Sequence, residues 1–145
     1  MSNDFRLSPG ESKLVEAVMD AFSERAKFPI SLDYLIQRWR DFITEIELGY
    51  KTNIFEYTND LGVRDLLEEL LGQIPKSLRN RLVGVLQPWD ARFTEATRET
   101  QEPLLPPLTK VKKHSWWYRV PRQLKVDEQD AFYWIPYYDN DNDTP

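Results

Sequence analysis

Residues Ser31 to Ile46 read SLDYLIQRWRDFITEI, and the apolar side chains Leu32, Leu35, Ile36, Trp39, Phe42, Ile43 and Ile46 recur at three- and four-residue steps. On an α-helix that spacing gathers them into one stripe. Trp39, the largest of them, lies mid-stripe with apolar partners a turn away on either side, so the stretch predicts the central core helix. Ser31 is its expected N-cap. The helix should run to Leu48, and Gly49 suits the left-handed position that closes it, because glycine has no Cβ to clash there.

Upstream, Ser8-Pro9-Gly10-Glu11 has the form of a helix start, with Ser8 as N-cap, Pro9 in the first helical position and Glu11 reaching back as in a capping box. Leu14, Val15, Val18, Met19 and Phe22 then share one face, and Phe28-Pro29 ends the run, predicting a helix over about 9–27. Downstream, Asn53 and Glu56 repeat the capping spacing and open a third helix through Ile54, Tyr57, Leu61, Leu66, Leu67, Leu70 and Leu71. The segment Thr58 to Gly62 is rich in poor helix formers, which predicts a division near Gly62, and Gly72 supplies the stop. Pro75 can start a fourth helix whose stripe, Leu78, Leu82, Val85, Leu86, Trp89, Phe93 and Ala96, passes Pro88. Proline removes one backbone hydrogen bond and crowds the Gly84 carbonyl, so a kink is expected there, in preference to a break.

The character changes at Gln101. Pro103, Pro106 and Pro107 in residues 102–108 make a stiff, extended connector, and the Pro103-Leu104-Leu105-Pro106 match to P-x-x-P has the plainer reading of a linker. Eight of the nineteen aromatic residues fall between Trp116 and Tyr138. Residues 116–120 and Phe132 to Ile135 read as two short strands or extended strips, each ended by a proline, that pair with each other or wrap the helices. Such large rings do not stay in water, so residues 109–138 are expected to pack as an arm, with 139–145 a disordered tail. The whole, 1–145, reads as one mainly α domain: a four-helix, bundle-like core over about 9–100 with an extended, partly β, aromatic-rich C-terminal arm.

Composition narrows the functional classes. The chain has no cysteine, which removes disulfides, thiolate metal sites and cysteine nucleophiles, and fits a reducing, cytoplasmic setting. No window approaches the roughly 20 apolar residues of a membrane helix, and the N-terminus does not read as a secretion signal. Net charge is −5, unevenly spread. Residues 41–69 hold eight acids, Asp41, Glu45, Glu47, Glu56, Asp60, Asp65, Glu68 and Glu69, against Lys51 and Arg64. Residues 103–126 hold six bases and no acid, and residues 127–145 six acids and no base. Blocks of one sign steer charged partners, or form solvated faces that pair with one another.

Motifs for catalysis, metal or cofactor binding are absent. His114 is the only histidine and sits among lysines in no motif that would use it as acid, base or ligand. The four-residue pairs Asp41/Glu45 and Asp65/Glu69 lack the Glu-x-x-His partner of carboxylate metal bundles. Asp60 precedes Arg64 by four residues, a spacing that predicts an exposed ion pair. Asp139, Asp141 and Asp143 begin like a calcium loop, but Thr144 stands where glycine is required and the chain ends before the bidentate glutamate. The expectation is therefore no cofactor, no metal and no enzyme.

Two binding readings remain. The first is a non-enzymatic interaction protein that meets a basic protein partner through Glu45, Glu56, Asp60, Asp65, Glu68 and Glu69. The second is a nucleic-acid-binding accessory protein using Lys110, Lys112, Lys113, Trp116, Trp117 and Arg119, cations along the backbone with rings under the bases, although a pI near 5.0 argues against it. A small, acidic, cysteine-free helical chain with an aromatic C-terminal wrap is similar in kind to bacterial proteins that neutralise a toxin by binding it. That likeness is compositional and rests on no motif; it implies an inhibitor or immunity-type protein.

Overall fold

A computed structural model of the chain describes residues 5–104 and 115–138. It is mainly helical: α1 (Pro9–Ala26), α2 (Leu32–Glu47), α3 (Ile54–Leu71), α4 (Lys76–Ala96) and α5 (Glu128–Tyr138), with a two-stranded antiparallel sheet of β1 (Thr97–Glu99) and β2 (Arg119–Pro121). The helix starts follow the caps in the sequence. Ser8 Oγ accepts the Glu11 N–H while Glu11 Oε1 accepts the Ser8 N–H, closing a reciprocal box. Ser31 Oγ accepts from the Tyr34 N–H and Asn53 Oδ1 from the Glu56 N–H.

All seven stripe residues of α2 are buried, and Trp39 is 1% exposed, in ring contact with Phe42 and Phe93. α2 is thus the helix against which α3 and α4 pack. α3 is one helix, without the expected division at Gly62. Leu61, Leu67 and Leu70 are fully buried on either side of that glycine, and the packing outweighs a propensity cost of about 1 kcal/mol. α4 likewise runs unbroken through Pro88.

The arm differs from the expectation in two places. Phe132 to Ile135 is not a strand: it lies within α5, which Asp127 caps by accepting the Asp130 N–H at 2.9 Å, with Glu128 and Asp130 in the first turn. A capping carboxylate and acidic first turn outweigh the β preference of the rings. β2 accordingly pairs with β1, the chain directly after α4, with Arg98 opposite Val120. Residues 116–118 form a single 3₁₀ turn, capped by Ser115.

The arm nonetheless completes the core. Leu104, Val120 and Trp134 are at most 1% exposed, and Trp134 meets Tyr50 and Tyr57 edge to face. Gln123 and Lys125 bond to either side of Tyr50, through Tyr50 N–H to Gln123 O and Lys125 N–H to Tyr50 O. This crossing needs Gly49: its φ is +103°, and a Cβ there would stand 2.6 Å from the Lys125 side chain. Phe132 and Tyr133, by contrast, are exposed, although the size of their rings predicts burial.

Candidate interaction surface

The acidic block of residues 41–69 divides in two. Its C-terminal half is paired within the fold, Asp65 half-buried and Glu68 and Glu69 at the surface. Asp65 accepts the indole N–H of Trp116 at 2.6 Å and of Trp117 at 2.8 Å, which docks the 3₁₀ turn on α3. Its neighbour Arg64 is buried and holds Asp90 in a two-point grip, Nε to Oδ1 at 3.1 Å and Nη2 to Oδ2 at 2.8 Å. Arg64 also donates to Glu68 at 3.1 Å and lies 4.7 Å over the Trp116 ring. Asp90 Oδ1 accepts the Trp39 indole at 2.8 Å, so the centre of α2 shares the network. Glu69 pairs with Arg25 of α1. The expected exposed pair between Asp60 and Arg64 is not made, since both residues are buried and each has another partner.

The N-terminal half differs. Asp60 is bonded to Arg38 of α2, while Glu45 and Glu56 are exposed and make no ion pair among the described residues. Burial pushes the Asp60 carboxyl above its ordinary value; Arg38 opposes this, and the negative fields of Glu45 and Glu56 reinforce it. The same pair raises Arg38, which keeps more of its solvent: the side chains are 36% and 7% exposed. Asp60 alone bonds Arg38, and the fields of Glu45 and Glu56 fall on Asp60.

A raised folded value means that Asp60 favours the folded state in its protonated form. That contribution is complete below its ordinary value of 3.8 and is lost as pH rises through the raised one. The stability difference between Asp60→Asn and the wild type, from denaturant midpoints, should therefore move in favour of the variant between pH 4 and pH 7. Movement the other way would contradict this account of the site.

Of the basic and aromatic set, Trp116 and Trp117 are half-buried on Asp65. Arg119 donates to Thr97 Oγ1 and to the carbonyls of Thr94 and Thr97, while its own carbonyl accepts from Tyr57 Oη. Lys110, Lys112, Lys113 and His114 lie outside the described residues, as do Asp139, Asp141 and Asp143.

A hollow of about 480 Å³ opens between the end of α2, the end of α4 and the residues after β2. Arg92 holds Glu47 there at 2.8 and 2.6 Å, and Arg122 donates to the Glu95 backbone carbonyl. Among the described residues no three metal-ligating side chains cluster, and no helix is long and apolar enough to cross a membrane.

What sequence reasoning missed is the outer face of α5. Phe132 is 65% exposed, Tyr133 48% and Ile135 44%, and Phe55 of α3 joins them at 5.4 Å from the Tyr133 ring. A helical reading of residues 128–138 would have shown it. Trp134 and Tyr138 share one face, with ring centroids 6.2 Å apart, and Tyr137 packs beside them on the core, which leaves Phe132, Tyr133 and Ile135 on the outer side. Comparison of the chain with protein-family models, with curated proteins and with solved structures finds no match.

Proposed function

We propose that the chain is a non-enzymatic interaction protein, of inhibitor or immunity type, that binds a protein with a basic surface. The observation that supports this is the group of Glu45, Glu56 and Asp60, drawn from α2 and α3, in which Asp60 is bonded to Arg38 while Glu45 and Glu56 make no ion pair among the described residues. Like charges held together on rigid elements focus a negative field, which accelerates encounter with a cationic partner and discriminates against acidic ones. Asp65, Glu68 and Glu69 serve this reading less directly. Asp65 anchors α3 to the arm and Glu69 anchors it to α1, while Glu68 pairs with Arg64 on α3 itself, and so they hold the surface that Glu45 and Glu56 occupy.

The test is capture from an extract of the source cells, with the wild-type chain beside Glu45→Lys/Glu56→Lys as bait. Both positions are exposed, so the variant should fold and melt like the wild type. A basic protein retained at low salt by the wild type and lost by the variant is the expected result. If what the two baits retain is the same, the acidic surface is not the binding site.

A further inference from the structure

On α5 the order of burial is inverted. The helix is apolar nearly all round, EQDAFYWIPYY, yet only Trp134 is fully buried, and Phe132, Tyr133 and Ile135 point outward. A helix apolar on every side is normally covered on every side. The Phe132 and Tyr133 rings meet at 5.2 Å, Tyr133 and Phe55 at 5.4 Å, and together with Ile135 they make one continuous patch across α5 and the start of α3. Contiguous exposed patches of this kind mark binding surfaces.

The charges around the patch specify its occupant. Glu128 stands one turn before Phe132 on the same face of α5, Asp127 caps that helix, and Glu56 follows Phe55; all three are exposed. α5 itself carries no base. Lys51, Arg122 and Lys125 are the exposed bases of the neighbouring connections, and Arg122 is turned to the Glu95 carbonyl of α4. A rim in which acids predominate around aromatic rings complements a segment that is itself apolar on one face and cationic beside it. A second copy of this chain fits poorly, since a two-fold contact would bring the same acid-rimmed patch against itself.

We infer that the outer face of α5, with Phe55, is the seat of a basic amphipathic segment of the protein partner. The inference rests on the reading above and adds the apolar anchor that the acidic group lacks: charge sets the rate of encounter, and buried aromatic rings set the lifetime of the complex.

The test uses the full chain, labelled for nuclear magnetic resonance, and an 18-residue helical peptide of leucine and lysine with one apolar face. Expected are shifts centred on Phe55, Phe132, Tyr133 and Ile135, and an affinity about tenfold weaker in Phe132→Ser/Tyr133→Ser, from the loss of two anchoring rings. Both residues are exposed, so that variant should keep the melting temperature of the wild type. Peptide shifts that avoid these residues, equal binding of the glutamate counterpart of the peptide, or unchanged affinity in the variant would each overturn the inference. So would concentration-dependent shifts of the same residues without peptide, which would assign the face to a second copy. Failure here leaves the Glu45/Glu56 capture result standing, and failure of that capture leaves this titration interpretable, so the two readings fall separately.

Discussion

A chain ending at Gln101 is expected to lose most of its stability and to melt far below the full-length protein, or to be recovered insoluble. Leu104, Val120 and Trp134 are fully buried and all lie beyond that point. At roughly 1.5–3 kcal/mol for each large apolar side chain withdrawn from water, their loss approaches the 5–15 kcal/mol net stability of an ordinary domain. Polar losses add to it. Tyr57 Oη loses its acceptor on Arg119, Asp65 loses both indole donors, and β1 loses its partner strand β2. Exposed Phe132 and Tyr133 contribute little to this total. Ending the chain after Tyr138 should be nearly silent, because the seven residues removed, DNDNDTP, carry no large apolar side chain. Thermal melts of the two truncations beside the full chain decide the matter, and a Gln101 version that melts like the full chain would refute the arm's structural role.

The second large effect belongs to Arg64. Arg64→Met should cost about 3 kcal/mol, the lower end of the range for removing one partner of a buried ion pair, because Asp90 keeps 34% of its exposure. The loss leaves Asp90 with the Trp39 indole alone and takes the guanidinium from the face of Trp116. Adding Asp90→Asn should restore part of the stability, since the amide oxygen can still accept from Trp39 while the uncompensated charge is gone. A double-mutant cycle by chemical denaturation checks this. Strict additivity of the two changes would mean that the pair is not coupled.

The helical part of the fold was legible because its signals are local. Three side-chain caps and the Ser31 to Ile46 stripe sit in the sequence as they sit in the structure, within a residue or two at the ends. The arm was harder. In residues 132–135 the rings argued for a strand and Pro136 for its end, while the opposing signal, Asp127 as cap with Glu128 and Asp130 in the first turn, lies upstream of the rings. β1 could not be read at all. Thr97 to Glu99 becomes a strand only because β2 arrives from twenty residues further on, and a partner of that kind leaves no mark on three residues.

The candidate surface divides along the same line. That residues 41–69 are acidic was plain, but which acids are paired depends on long-range partners. Asp65 turns to two tryptophans more than fifty residues away and Glu69 to an arginine of α1, and no spacing announces either contact. Glu45 and Glu56 remain exposed because no base of another helix reaches them.

We propose that an acidic, aromatic-anchored face of this chain receives a basic protein. Hydrogen exchange of the chain, alone and with the partner captured by the wild-type bait, tests it most directly. Slowed exchange is expected in residues 45–60 and 128–138, with α1 and the first turns of α4 unchanged. Protection confined to α1, α4 or the β1–β2 sheet, with α5 and the start of α3 exchanging as in the free chain, would contradict it.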